Sequence, residues 1–275
     1  MEIITDPHDE RLGDFRHLND PAARRDIEEA GQGFFMVEGL LALDQLLASN
    51  HRVRSLLVTP NRLTRLSHQI ESLQASGAEV LVADRSVLRE AAGFDVHRGV
   101  LASADRPRQQ SVDTLLSGAQ RVVVLEGVND HENLGSIFRN CAALGIEAVI
   151  LDSTTADPLY RRCIRVSLGW AMRVPYARYE STETGMASLR ANGFRMVALT
   201  PGTDALDVDE AAERGLLDDR VALYLGAEGP GLHASTIEGC DAKVRIPMHP
   251  GVDSLNVATS LAVVATFAAA RRGWA

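Results

Sequence analysis

The chain has 275 residues, enough for one large domain or two ordinary ones. It is 45% hydrophobic and 24% charged, an ordinary globular composition, and no uncharged apolar run reaches the roughly 18 residues that a membrane-spanning helix needs. A net charge of −9 excludes a surface that is basic throughout, so any nucleic-acid contact must rest on local clusters.

The start, Met1 to Asp6, has neither a basic cluster nor an apolar core and does not read as a secretory signal. Residues 1–19 are polar and expected to be irregular. Asp20-Pro21 opens a helix, with aspartate as the cap and proline in the first turn, and Gly31 ends it. Strands are expected at 34–37, 53–58, 79–82 and 99–102, and helices at 39–49, 60–74 and 86–91. Together they make a small α/β unit, residues 1–105. Residues 106–118 are polar and proline-interrupted and read as a linker.

The second unit, 119–275, alternates throughout. Strands are expected at 121–125, 148–151, 174–176, 195–199, 221–225 and 243–246. Helices fall at 134–144, 158–166, 182–191, 209–214, 232–237 and 254–270. This order predicts a mostly parallel sheet covered on both faces. Cys141, Cys163 and Cys240 have no metal-ligand spacing and suit reduced, buried thiols in a cytoplasmic protein. No metal is expected.

Three stretches carry chemistry. The first runs from Asn133-Leu134-Gly135 to Arg139-Asn140, past a strand and into a helix. Its plain reading is a cap at Asn133 and a solvated arginine; its chemical reading sets Arg139 beside a hydroxyl and a phosphate. The second holds Gly226, Glu228 and Gly229-Pro230-Gly231 just past a strand, where open α/β sheets bind ligands. Glycines there allow close backbone approach, or simply a tight turn. The third joins Ile246-Pro247-Met248 to Ser254-Leu255-Asn256 at the start of the last helix. Ser254 or Asp253 is a candidate cap, and the helix beyond is so uniformly apolar that it must be buried or pack on another subunit. No G-x-G-x-x-G follows the first strand of either unit, which argues against a nucleotide-dependent oxidoreductase or ligase.

In this order and position, the three stretches resemble the signature motifs of the SpoU (TrmH-type) RNA ribose 2'-O-methyltransferases, members of the knotted SPOUT superfamily. The resemblance implies a C-terminal parallel sheet with a deep trefoil knot and S-adenosylmethionine as cofactor. It places Gly226, Ile246 and Leu255 where the family contacts that cofactor, with Leu199, Thr200, Leu225 and Met248 completing the set. Arg139 falls on the family's catalytic arginine, and Asn133, Glu228, Ser254 and Asn256 on its other polar motif positions. A guanidinium stays protonated, so Arg139 suits holding a phosphate and stabilising alkoxide charge better than acting as a base. Glu228 or a phosphate oxygen is left to take the proton.

Upstream, Phe35-Met36-Val37-Glu38-Gly39 and His97-Arg98-Gly99-Val100 resemble the ends of the ribosomal-protein-like α/β domain that binds substrate in many SpoU proteins. Arg98 departs from the glutamine more usual there. The implied substrate is ribosomal RNA, with transfer RNA the alternative, and a non-catalytic RNA-binding protein on the same fold the rival from another class. The implied assembly is a homodimer through the C-terminal domain. All basic residues but Lys243 are arginines. The expected RNA clusters are Arg52, Arg54, Arg62 and Arg65, and Arg161, Arg162 and Arg165.

Overall fold

The computed structural model describes residues 2–19, 33–96 and 99–270. The helix expected from Asp20-Pro21 to Gly31, and the His97-Arg98 pair, lie outside the described residues. Two compact units emerge: 1–109 with 159–173, and 110–158 with 174–275.

The first unit is built on β1 (Ile3–Ile4), β2 (Phe34–Glu38), α1 (Leu40–Leu47), β3 (Val53–Val58), α2 (Ser67–Ala75), β4 (Glu79–Ala83), α3 (Arg85–Ala92) and β5 (Val100–Asp105). Its five-stranded sheet has the order β1-β4-β3-β5-β2. β1, β4 and β3 run parallel, and β5 runs antiparallel to both β3 and β2. Every residue of β2 is buried, so it reads as a continuous apolar run rather than an alternating one.

Residues 1–19 are more ordered than their polarity suggests. Ile3–Ile4 adds an edge strand to β4, and Glu10–Phe15 forms a short 3-10 helix capped by Asp9. A three-residue period puts Leu12 and Phe15 on one side, and both are fully buried in the core with Phe34, Met36, Leu57 and Leu101. One apolar pair three residues apart is too little to establish a period. The helix expected at 60–74 is divided into a 3-10 turn, Pro60–Arg62, and α2.

Residues 159–173 were expected in the second domain but pack with the first unit. Here α6 (Arg161–Val166) lies on β2. Arg161 pairs with the buried Glu38 at 2.6 Å and sits 3.9 Å over the Phe94 ring. The expected RNA clusters are therefore partly engaged within the protein. Arg52 pairs with Asp105, and Arg54 pairs with Asp14 while stacking over Phe34.

The second unit contains α4 (Val112–Gly118), β6 (Arg121–Glu126), α5 (His131–Leu144), β7 (Ala148–Leu151), β8 (Tyr176–Arg178) and α7 (Thr182–Ala191). It continues through β9 (Arg195–Leu199), β10 (Leu206–Asp207), α8 (Val208–Glu213), β11 (Val221–Gly226), α9 (Ala234–Gly239), β12 (Ala242–Arg245) and α10 (Val257–Ala270). Part of the expected linker is thus a helix, capped by Ser111 and anchored by buried Leu115 and Leu116. The sheet order is β10-β12-β9-β11-β6-β7-β8, and all its pairings are parallel. Residues 122–125 of β6 are all 0% exposed, as expected of a central strand covered on both faces. From β6 the chain runs outward through β7 and β8, then crosses to β9 on the far side of β11. That reversal leaves a crevice at the carboxyl ends of the strands.

Replacing Phe15 by alanine removes a fully buried ring from the first unit. We expect a loss of about 3–5 kcal/mol in chemical denaturation. A change under about 1 kcal/mol would show that the N-terminal segment is not part of this core.

Candidate active site

A cavity of about 530 Å³ opens at the carboxyl ends of β9, β11 and β12. That size falls in the range of small-molecule sites. Leu199 and Thr200 line it from β9, Leu225 and Gly226 from β11, and Ile246 and Met248 from the loop after β12. Glu228, Ser254, Leu255 and Asn256 complete the wall. All seven residues expected at a cofactor therefore meet around one space. Leu255 is 39% exposed and Val252 50%, so the loop before α10 presents apolar surface. Apolar walls suit a flat aromatic base, while the Thr200 and Ser254 hydroxyls and the Glu228 carboxylate supply polar partners for a ribose and an amino-acid end.

The polar side is organised by Asn256. Its Nδ2 donates to Asn133 Oδ1 at 2.7 Å and to Glu228 Oε1 at 3.0 Å. Its Oδ1 accepts the Ala258 and Thr259 backbone N–H groups at 3.0 and 3.2 Å, capping α10. One amide thus joins all three sequence stretches. The helix begins at Val257 rather than Ser254, so neither Ser254 nor Asp253 is the cap. Residues 249–256 are exposed, and burial begins at Val257.

The first stretch also differs from expectation. Asp130, not Asn133, caps α5 by accepting from the Glu132 and Asn133 backbone. That leaves the Asn133 side chain for Asn256. Asn140, on the same face two turns along, donates to the Ala258 carbonyl at 2.7 Å and pins α5 to α10. Arg139 lies two turns into α5. At 100° per residue it is rotated well off the Asn133–Asn140 face. It is exposed, makes no hydrogen bond or ion pair among the described residues, and does not line the cavity.

The glycine-rich loop is closed on itself. Ala227 and Gly231 form an isolated bridge, with Gly231 N–H donating to Ala227 C=O at 3.0 Å. Gly229 and Gly231 have φ of +88° and +70°, which glycine adopts without strain. A Cβ at Gly226 would lie 2.1 Å from the Gly231 carbonyl carbon. The glycine is therefore required first by the loop's own backbone rather than by room for a ligand.

Family comparisons bear on this arrangement. Residues 120–266 match the model of the SpoU rRNA methylase family. Residues 36–110 match the RNA 2'-O ribose methyltransferase substrate-binding model. The chain belongs to the SpoU family. Family membership makes it an S-adenosylmethionine-dependent RNA methyltransferase. An uncharacterized tRNA/rRNA methyltransferase of Mycobacterium tuberculosis is 45% identical over 96% of this chain and 90% of its own length. The 23S rRNA (guanosine-2'-O-)-methyltransferase RlmB of Salmonella typhimurium is 30% identical over 83% of this chain and 95% of its own. The AdoMet-bound rRNA methyltransferase of Sinorhizobium meliloti superposes with a TM-score of 0.82 at 26% identity, covering 100% of this chain and 99% of that one.

Several residues of this SpoU site escaped sequence reasoning. Asp130 and Asn140 were legible as polar residues near a helix start, but their partners lie elsewhere in the chain. Asp152, at the end of β7, receives the Gly127 and Thr155 backbone N–H groups and the Thr154 hydroxyl, fixing the turn that leads to Asp130. Burial works against this carboxylate, but those hydrogen bonds outweigh it and hold its pKa below the ordinary carboxylate range. Among the described residues, no group of three or more His, Cys, Asp or Glu could hold a metal ion.

The two roles of Asn256 can be separated. Asn256→Asp keeps the capping oxygen, so stability should stay within about 1 kcal/mol of wild type. It loses both donors and sets a carboxylate against Glu228, so methyl transfer should fall at least about tenfold. Thermal melting beside a turnover assay reads both, and normal turnover in a stable Asn256→Asp protein would show the amide link to be idle.

Proposed function

We propose that the protein methylates a ribose 2'-hydroxyl of ribosomal RNA, working as a homodimer through its second unit. The observation that carries this reading is the Asn133–Asn256–Glu228 link at the mouth of the cavity, in a chain whose relative RlmB is named for 2'-O-methylation of 23S rRNA. Transfer RNA is the second reading, favoured by the name of the mycobacterial relative. The first unit, with its match to a substrate-binding model, would hold the RNA; a ribosomal substrate implies the cytoplasm.

Leu199, Thr200, Leu225, Gly226, Ile246, Met248 and Leu255 would hold S-adenosylmethionine, which supplies a sulfonium methyl group when bound. The protein's own task is to prepare the hydroxyl. Glu228 Oε1 is occupied by Asn256, which leaves Oε2 to accept the hydroxyl proton. Arg139 would grip the adjacent phosphate and stabilise the alkoxide charge as the proton leaves. Ser254, exposed on the cavity wall, would help orient the ribose.

The position of Arg139 supports the dimer. It does not line the cavity of its own chain, so the reading assigns it to the cavity of a second copy. The outer side of α10 and the loop before it add exposed apolar surface at Phe267, Leu255 and Val252. The same reading includes a trefoil knot, with the 246–256 segment drawn through a loop of the chain. Its support is the superposition on a SpoU structure and the packing of the post-β11 and post-β12 loops around one cavity.

Two measurements test these assignments. With labelled S-adenosylmethionine and RNA from a strain lacking the gene, label should enter 23S rRNA as a 2'-O-methyl nucleotide. Label in transfer RNA alone would favour the second reading, and label in neither would remove the activity. Arg139→Ala and Asn256→Asp proteins should each be inactive, yet mixing them should restore roughly a quarter of wild-type turnover, because half the dimers then hold one intact site. No recovery in mixtures shown to exchange subunits would place Arg139 in its own chain's site.

A further inference from the structure

The glycine-rich loop is fastened to the sheet at its far end as well as at Gly226. Glu126 ends β6 and pairs in register with Gly226. One of its carboxylate oxygens accepts the His233 backbone N–H at 2.6 Å, and the other accepts the Thr236 hydroxyl at 2.6 Å. Both donors stand at the start of α9, where the 227–232 loop lands. His233 occupies the cap position there, and its side chain makes no capping bond. Ser, Thr, Asp or Asn would ordinarily serve. The cap comes instead from a strand 107 residues earlier in the chain. A local cap would satisfy the helix end but leave it untied to the sheet.

Stability alone is a poor account of this carboxylate. Its side chain is 5% exposed and, among the described residues, pairs with no arginine or lysine. With an exposed imidazole, His233 Nε2 at 3.8 Å, as its ionisable partner, burying this carboxylate is costly, and a neutral acceptor would do for a cap. The next residue, Gly127, would place a Cβ 3.4 Å from the Ala227 methyl at the near end of the loop. Glu126, at the end of β6, therefore braces the far end of the loop that carries Glu228, and Gly127, just past the strand, faces its near end. Thr236 is 0% exposed, so its bond to Glu126 is shielded from water.

We propose that Glu126 is a positioning residue for S-adenosylmethionine: through Thr236 and His233 it fixes the 227–232 loop without touching the cofactor. This rests on the cofactor assignment above. Thr236→Val keeps the shape and removes the hydroxyl, while Thr236→Ser keeps the hydroxyl and removes a methyl group. By calorimetry, the valine variant should bind S-adenosylmethionine about tenfold more weakly, the effect of one lost hydrogen bond to a charged group. Its turnover at saturating cofactor should stay within about twofold of wild type, because Asn256 still aims Glu228. The serine variant should recover wild-type affinity to within about twofold. If the valine variant does not fold, Thr236→Ala removes the same hydroxyl with no added methyl and carries the same expectation. Wild-type affinity in the valine or alanine variant overturns the inference. So does an equal loss in the serine variant, which would point to packing. A wild-type protein that does not bind S-adenosylmethionine overturns the cofactor assignment instead.

Discussion

The side-chain amide of Asn256 is bound on both ends, and the geometry of the site follows from that. Its oxygen is committed to the first turn of α10, which fixes the rotamer and aims the nitrogen at Asn133 and Glu228. Glu228 stands on the glycine-rich loop, and its side chain takes its direction from that nitrogen. Asn133 can take part because Asp130 has relieved it of capping α5. The hydrogen bonds are individually modest in an exposed setting, each worth about 1 kcal/mol. Together they leave each group one geometry, which matters more at a site that must move a proton than the stability they contribute.

The sheet explains why the site lies where it does. A parallel sheet buried on both faces offers no polar surface along its strands. Its backbone groups and loops become available only at the strand ends, and the switch in strand order opens the crevice there. The end of β6 then supplies Glu126 and Gly127, the end of β7 supplies Asp152, and the end of β11 supplies Gly226. Glu126 is satisfied by donors beyond the loop after β11, and Asp152 joins its own loop to Gly127 after β6. The loops are thereby tied to the sheet and to one another.

Alternation of strands and helices was legible because both periods are strong in this chain, and α7 was placed to the residue at Thr182–Ala191. The seven residues that the family resemblance placed at the cofactor converge on one cavity at the ends of β9, β11 and β12. What stayed hidden was non-local. Glu126 reads as the polar end of a strand, and its partners are 107 and 110 residues away. Asp130 and Asn133 are both good caps by composition, and only the start of α5 at His131 decides between them. Leu12 and Phe15 are a single pair three residues apart, too few residues to establish a period. The association of 159–173 with the first unit includes the Arg161–Glu38 pair, which no local pattern announces.

The central claim is that the loops after β11 and β12 form one cofactor site at the end of the sheet. Hydrogen exchange of the wild-type protein with and without S-adenosylmethionine tests it directly. The account predicts slowed exchange in residues 226–232 and 246–256 together, with little change in the already protected strands 121–126 and 148–151. Protection confined to one of the two loops, or appearing only elsewhere in the chain, would contradict it.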